Sequence, residues 1–168
     1  MKNATVLCAV MGAAIMFSGC KKALDTLAEK VIEKSLKNSG TSDAQVNLSN
    51  GKMSIKTDKG EMVMNTGDSV SLPADFPKDV YVAKDAKIQT ALKTPDGFMI
   101  QFSIDQKKGK VAETYSSKMK DGGWASETSM DMGETTSLIV KKDNRQAAII
   151  ITQKDSDSEV MITVTTEK

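Results

Sequence analysis

Phe98-Met99-Ile100-Gln101-Phe102-Ser103-Ile104 decides how the chain is read. Successive side chains of a strand alternate sides, so Phe98, Ile100, Phe102 and Ile104 share one face, which is expected in a core. The turn Pro95-Asp96-Gly97 precedes it, and residues 87–93 supply the strand before the turn. Downstream the period lengthens. Val111, Ala112, Tyr115 and Met119 recur at helical spacing across 110–120, and Gly122-Gly123 closes that helix. Trp124 follows at once, placed to pack between helix and sheet. A strand starts at Trp124, and three more are expected over 135–141, 146–153 and 159–165. Asp143-Asn144-Arg145 and Asp155-Ser156-Asp157-Ser158 are the turns between them. The order β-β-α-β-β-β-β implies an antiparallel sheet with a helix packed on one face.

Upstream, the chain divides at 72–79, Leu-Pro-Ala-Asp-Phe-Pro-Lys-Asp. Pro73 and Pro77 bias the residues before them to extended geometry and donate no hydrogen bond, which makes a stiff connector with Phe76 as a buried plug. Before it, Val46 and Leu48 alternate, Asn50-Gly51 signals a tight turn, and Met53 and Ile55 alternate back. Asp58-Lys59-Gly60 and Glu61-Met62-Val63-Met64 complete a small meander that needs a partner surface. Residues 23–38 read as an amphipathic helix. Leu24, Leu27, Ala28, Val31, Ile32 and Leu36 lie on its apolar side, and Glu29, Lys30, Glu33, Lys34 and Lys37 form a solvated one. That polar side is not predominantly basic, so packing on the domain or acting as a stalk suits it better than lying on a membrane. The expected class is α+β: an N-terminal amphipathic helix and short β-meander, then the helix-on-sheet domain. The expected parts are 1–19, 20–44 with the helix, 45–71 with the meander, the 72–79 connector and the 80–168 domain.

The amino terminus carries a different message. Lys2 precedes an uncharged, largely apolar run over 3–19, which ends in Phe17-Ser18-Gly19-Cys20. This resembles the signal peptide of a bacterial lipoprotein, with Ser18-Gly19-Cys20 as the lipobox; Phe17 stands where Leu is usual. The resemblance implies cleavage before Cys20 and acyl chains on that residue. The run is at the short limit for spanning a bilayer, and its small-residue end suits a cleavable segment. Two or three acyl chains hold a protein stably on a membrane, whereas one holds it marginally. The expected location is therefore the cell membrane, with the domain facing the periplasm. Lys21-Lys22 lacks the acidic retention signal of some bacteria, which favours the inner leaflet of the outer membrane in a Gram-negative cell.

Composition excludes several classes. The chain has 23 basic and 22 acidic residues; removal of Lys2 with residues 1–19 balances them, and no basic stripe exists to follow a nucleic-acid backbone. Histidine is absent, which removes the usual general base and the usual zinc or copper ligand. The two cysteines are Cys8, within the signal, and Cys20, so the exported part has no disulfide.

Four candidate sites remain. Met62 and Met64, and Met130 and Met132, are Met-x-Met pairs on expected strands, and thioethers suit Cu(I). Methionine also fills irregular cores, and no Cys or His reinforces either pair. Asp155, Asp157 and Glu159 cluster in a turn but lack the ligand ladder and glycine of a calcium loop. Ser116, Ser117 and Lys118 are consecutive helical positions that diverge around the axis, so they form no Ser–Lys dyad. Tyr81, Tyr115 and Trp124 offer an aromatic platform, although the core has first claim on them.

Leu72-Pro73-x-Asp75-Phe76-Pro77-Lys78-Asp79-Val80-Tyr81-Val82, with the later Tyr115 and Gly123-Trp124, resembles a family of small exported bacterial proteins and lipoproteins of uncharacterised function. That family carries an LPxDFPxDVPxYPGA-like segment; this chain departs from it at Ala83-Lys84-Asp85-Ala86. The resemblance implies fold and compartment only and carries no catalytic residue across; no cofactor is expected. The functional expectation is a non-enzymatic envelope binding or interaction module, tethered through Cys20, with an envelope protein or a small ligand as partner. Copper handling through the Met pairs and an uncharacterised envelope enzyme are the alternatives.

Overall fold

The computed structural model describes residues 23–38, 45–49, 51–57, 60–67 and 70–167. Cys20, the signal run, Gly40, Asn50 and Asp58-Lys59 lie outside the described residues. The elements are α1 (Ala23–Asn38), β1 (Gln45–Ser49), β2 (Lys52–Thr57), β3 (Gly60–Thr66), β4 (Lys87–Thr94), β5 (Gly97–Ile104), α2 (Lys108–Asp121), β6 (Ala125–Met132), β7 (Thr135–Lys142), β8 (Arg145–Gln153) and β9 (Ser158–Thr166).

The expected α+β division into a meander and a separate sheet is corrected. All nine strands belong to one sheet, in the order β1-β2-β3-β4-β5-β9-β8-β7-β6. The chain is predominantly β, with two helices among the described residues. The connector explains the difference. Phe76 and Val80 donate backbone bonds to Pro73 and Pro77, and Ala86 donates to Ala83. These turns fold the segment back, and Gly67 N–H donates to the Gln89 carbonyl as β4 enters beside β3. Prolines read as a spacer are part of a reversal.

The chain forms two compact units that divide inside β3, between Val63 and Met64. In the N-terminal unit, β1 and β2 pair from Gln45↔Lys56 to Ser49↔Lys52. Leu36, Val46 and Ile55 are buried together, with Ile32, Leu48, Met53 and Met62 packed around them. This is the partner surface that the small meander needs. Val31, expected on the apolar side of α1, is 63% exposed. Glu29 and Glu33, expected in solvent, instead accept backbone bonds from Leu48 at 2.8 Å and Val46 at 3.2 Å. Their four-residue spacing on the helix matches the two-residue spacing of outward amides on β1.

In the C-terminal unit, α2 crosses from β5 to the far side of the sheet, and β6, β7, β8 and β9 return by hairpins to pair with β5. Cross-strand rows show which face is core. Ile100, Ile162, Ile149 and Leu138 form one row, and Phe102, Val160, Ile151 and Thr136 form the next. All are buried, and Val111, Tyr115 and Met119 of α2 close over them. Phe76 joins this core, edge-on to Phe98 at 5.6 Å between ring centres.

Candidate functional site

The ends of α2 are held by side chains remote in sequence. At its start Lys108 N–H donates to Gln153 Oε1 at 2.8 Å, because Lys107 supplies no side-chain cap. At its end the amides of Gly122, Gly123 and Trp124 return to Lys118, Lys120 and Met119. Gly123 adopts φ +84°, and a Cβ on Gly122 would stand 2.9 Å from the Asp79 carbonyl oxygen. That close approach is used: Trp124 Nε1 donates to the same carbonyl at 2.9 Å.

The Asp79 carboxylate accepts from Arg145 through both guanidinium nitrogens, at 2.9 and 2.7 Å, and from Lys142 Nζ at 2.8 Å. Lys142 also donates to Gly122 O at 2.8 Å, and Arg145 lies 5.0 Å from the centre of the Trp124 ring. Arg145 and then Lys142 hold the Asp79 carboxyl well below the usual carboxylate range. A carboxylate so engaged is a poor proton acceptor, so this cluster is a clasp. Its members are 63 and 66 residues apart, and no local pattern in the sequence marks them.

The aromatic platform does not form. Trp124 is 2% exposed and Tyr115 1%. Tyr81 stands edge-on to Tyr115 at 5.1 Å, beside a cavity of about 30 Å³ lined also by Ala83, Asp85, Ile104, Gln106, Val111 and Thr114. Among the described residues the Tyr115 hydroxyl has no hydrogen-bond partner. The Ala83 backbone opposes a rise in its pKa. Burial dominates and pushes the phenol well above its ordinary value, and Tyr81 and Asp85 add to the rise. A space of this size holds one water. Ligand pockets are roughly tenfold larger or more.

The Met pairs occupy different settings. Met62 packs in the N-terminal cluster and Met64 stands two residues on in β3. Met130 and Met132 are 49% and 61% exposed on β6. Five strands separate β3 from β6 in the strand order, so the pairs share no sheet position. Among the described residues no three His, Cys, Asp or Glu side chains group to hold a metal. In the β8–β9 turn, Gln153 Nε2 donates to the Asp157 carbonyl at 2.8 Å, and buried Ser158 donates to Gln106 O at 2.7 Å. The turn is tied to the start of α2, and its carboxylates do not converge. Ser116, Ser117 and Lys118 are all exposed on α2.

What is left is the second face of the sheet. Met99, Thr163, Ala148, Ile139 and Thr128 form one row on it, and Gln101, Met161, Ile150, Ser137 and Met130 the next. The interior members Met99, Met161, Ile150, Ile139 and Ala148 are partly exposed, and α2 lies on the other face. Sequence reasoning missed this surface because alternation marks the stronger apolar face and treats the other as solvent. The runs Ala148-Ile149-Ile150-Ile151 and Val160-Met161-Ile162 carry its signal: apolar residues on both faces.

No described helix is long and apolar enough to cross a membrane. No curated protein and no solved structure matches the chain. A family model described as START domain-like matches residues 80–165, which span β4 to β9 with α2 and the Asp79-bound Arg145. That match takes in more than half of the 168 residues and the whole helix-on-sheet core, and the chain belongs to the START domain-like family.

Proposed function

We propose that the protein is a lipoprotein of the bacterial envelope, acylated on Cys20, whose body is a non-catalytic module that binds a protein surface through the second face of its sheet. The supporting observation is the contrast between the two faces. On one, α2 closes over the core, and the cavity beside Tyr81 and Tyr115 is about 30 Å³. The other carries Ile139, Ile150, Met161 and Met99 part-exposed in adjacent rows. Contiguous apolar surface of this kind marks interaction sites. A small-molecule reading needs a concave pocket, and Tyr81, Tyr115 and Trp124 are spent on the core instead.

The anchor rests on the lipobox Ser18-Gly19-Cys20, and the periplasmic setting follows from it. The enzyme alternative needs a free polar cluster, and the strongest carboxylate, Asp79, is occupied by two cations. Copper handling needs the Met pairs together, and they stand on strands far apart in the sheet order.

The test places a photoreactive residue at Ile150 in the full-length chain in native envelopes, with Ser117 on α2 as control. Discrete protein adducts from position 150 and none from 117 are expected, and Ile139→Asp should remove them. Equal adducts from both positions, or none from 150, overturn the reading.

A further inference from the structure

We propose that β6 pairs with β6 of a second copy of this chain, antiparallel, about a two-fold axis at Met130. β6 ends the strand order, bonded among the described residues to β7 alone, and all eight of its residues are exposed. Such an edge presents unpaired backbone groups and is a template for another strand. The chain treats its other terminal strand differently, since Glu29 and Glu33 occupy the amides of Leu48 and Val46 on β1. Among the described residues, no side chain bonds the backbone of β6.

The order of residues on β6 selects a second copy and a register. Antiparallel pairing about a two-fold axis normal to the sheet sets each residue opposite one that points to the same face. Centring on Ser129 brings Glu127, the residue skipped at the bulge, into the ladder, and centring on Asp131 sets that carboxylate against itself; like charges directly opposite are destabilising. Centring on Thr128 runs the ladder through the bulge between Ser126 and Thr128. Centring on Met130 avoids both. Met130 then meets Met130, Met132 meets Thr128 and Asp131 meets Ser129 of the second copy, and the ladder stays on 128–132. Two strongly exposed methionines per copy, at 49% and 61%, gather on one face. On the other, each Asp131 keeps its Lys108 Nζ partner at 2.6 and 2.7 Å and stands opposite an uncharged Ser129. The proposal does not depend on the lipid anchor or on a partner at the sheet face.

The test uses full-length copies in native envelopes and a short thiol-to-thiol crosslinker. Unsubstituted chain accounts for Cys8 and Cys20, and Ser117→Cys serves as a surface control. Met130→Cys should link to itself, and Thr128→Cys copies should link to Met132→Cys copies more than to themselves. The second pair then reports on charge at the axis. Met130→Glu on both copies, or Met130→Lys on both, should cut the linked product at least tenfold, and Glu on one with Lys on the other should restore it to within twofold. Met130 is exposed, so these variants fold, as thermal melting will verify. No product above the Ser117→Cys level, no loss with like charges, or no recovery with opposite charges overturns the proposal.

Discussion

Asp79 and Arg145 face each other through two parallel hydrogen bonds, of 2.9 and 2.7 Å, across 66 residues of sequence. Arg145 is also the direct cross-strand neighbour of Lys142 at the β7–β8 turn. Two cations in that position repel. Asp79 stands on both, so the hairpin tip tolerates its charges only while the connector is docked. The Trp124 indole on the Asp79 carbonyl extends the same tie to the end of α2.

Replacing Asp79 by Asn should therefore destabilise the C-terminal unit. Breaking a fully buried pair costs about 3–5 kcal/mol. The Asp79 side chain keeps 28% of its exposure, so solvent screening lowers the expected loss to about 1–3 kcal/mol. Arg145→Lys should lose part of this, because an ammonium cannot reproduce the fork or stack on Trp124. Urea unfolding followed by Trp124 fluorescence measures both.

The same carboxylate sets an acid limb. Its pKa is lowered by folding from 3.8, so the unfolded chain binds its proton more readily. The stabilisation is complete above the unfolded value and is lost as pH falls through the folded one. Stability should drop from about pH 5 to pH 2, with a shallower drop in Asp79→Asn. Asp131, lowered by Lys108, leaves a residual slope in that variant. Melting temperature against pH for the two chains tests the difference.

Tyr115→Phe removes a buried hydroxyl that has no partner, while keeping the ring against Phe102 and Tyr81. The change should be neutral or stabilising by up to about 2 kcal/mol. Tyr115→Ala, which empties the site, should cost about 3–5 kcal/mol. A loss above about 1 kcal/mol in the Phe variant would mean that the hydroxyl bonds a water in the adjoining cavity.

Gly122→Ala tests the closeness of the clasp. Its Cβ would stand 2.9 Å from the Asp79 carbonyl oxygen, in backbone that cannot retreat without lengthening the Trp124 bond. A cost of about 1–3 kcal/mol is expected, typical of overpacking. An unchanged urea midpoint would show that the connector moves freely.

Local periodicity made the separate strands legible: 98–104 and 146–153 lie within a residue of β5 and β8. How the strands assemble was not legible. A strand's pattern does not name its neighbours, and the return of β4 to β3 depends on turns around Pro73 and Pro77, which read as a connector, and on a further turn at Ala83. Glu29 and Glu33 show the same limit, since a helix's polar side looks alike whether it meets water or the amides of β1. The clasp was hidden because its charges are remote in sequence. Phe76 and Trp124 were legible as buried residues because each is a large aromatic beside a turn.

The proposed function holds a folded sheet at a membrane by one acylated side chain. Mass spectrometry of the amino-terminal peptide from native membranes tests it directly. The expected result is a peptide beginning at Cys20 that carries diacylglycerol on sulfur, with Cys20→Ser releasing the protein from the membrane fraction. A peptide beginning at Met1, or an unmodified Cys20 on a protein recovered in the soluble fraction, would contradict it.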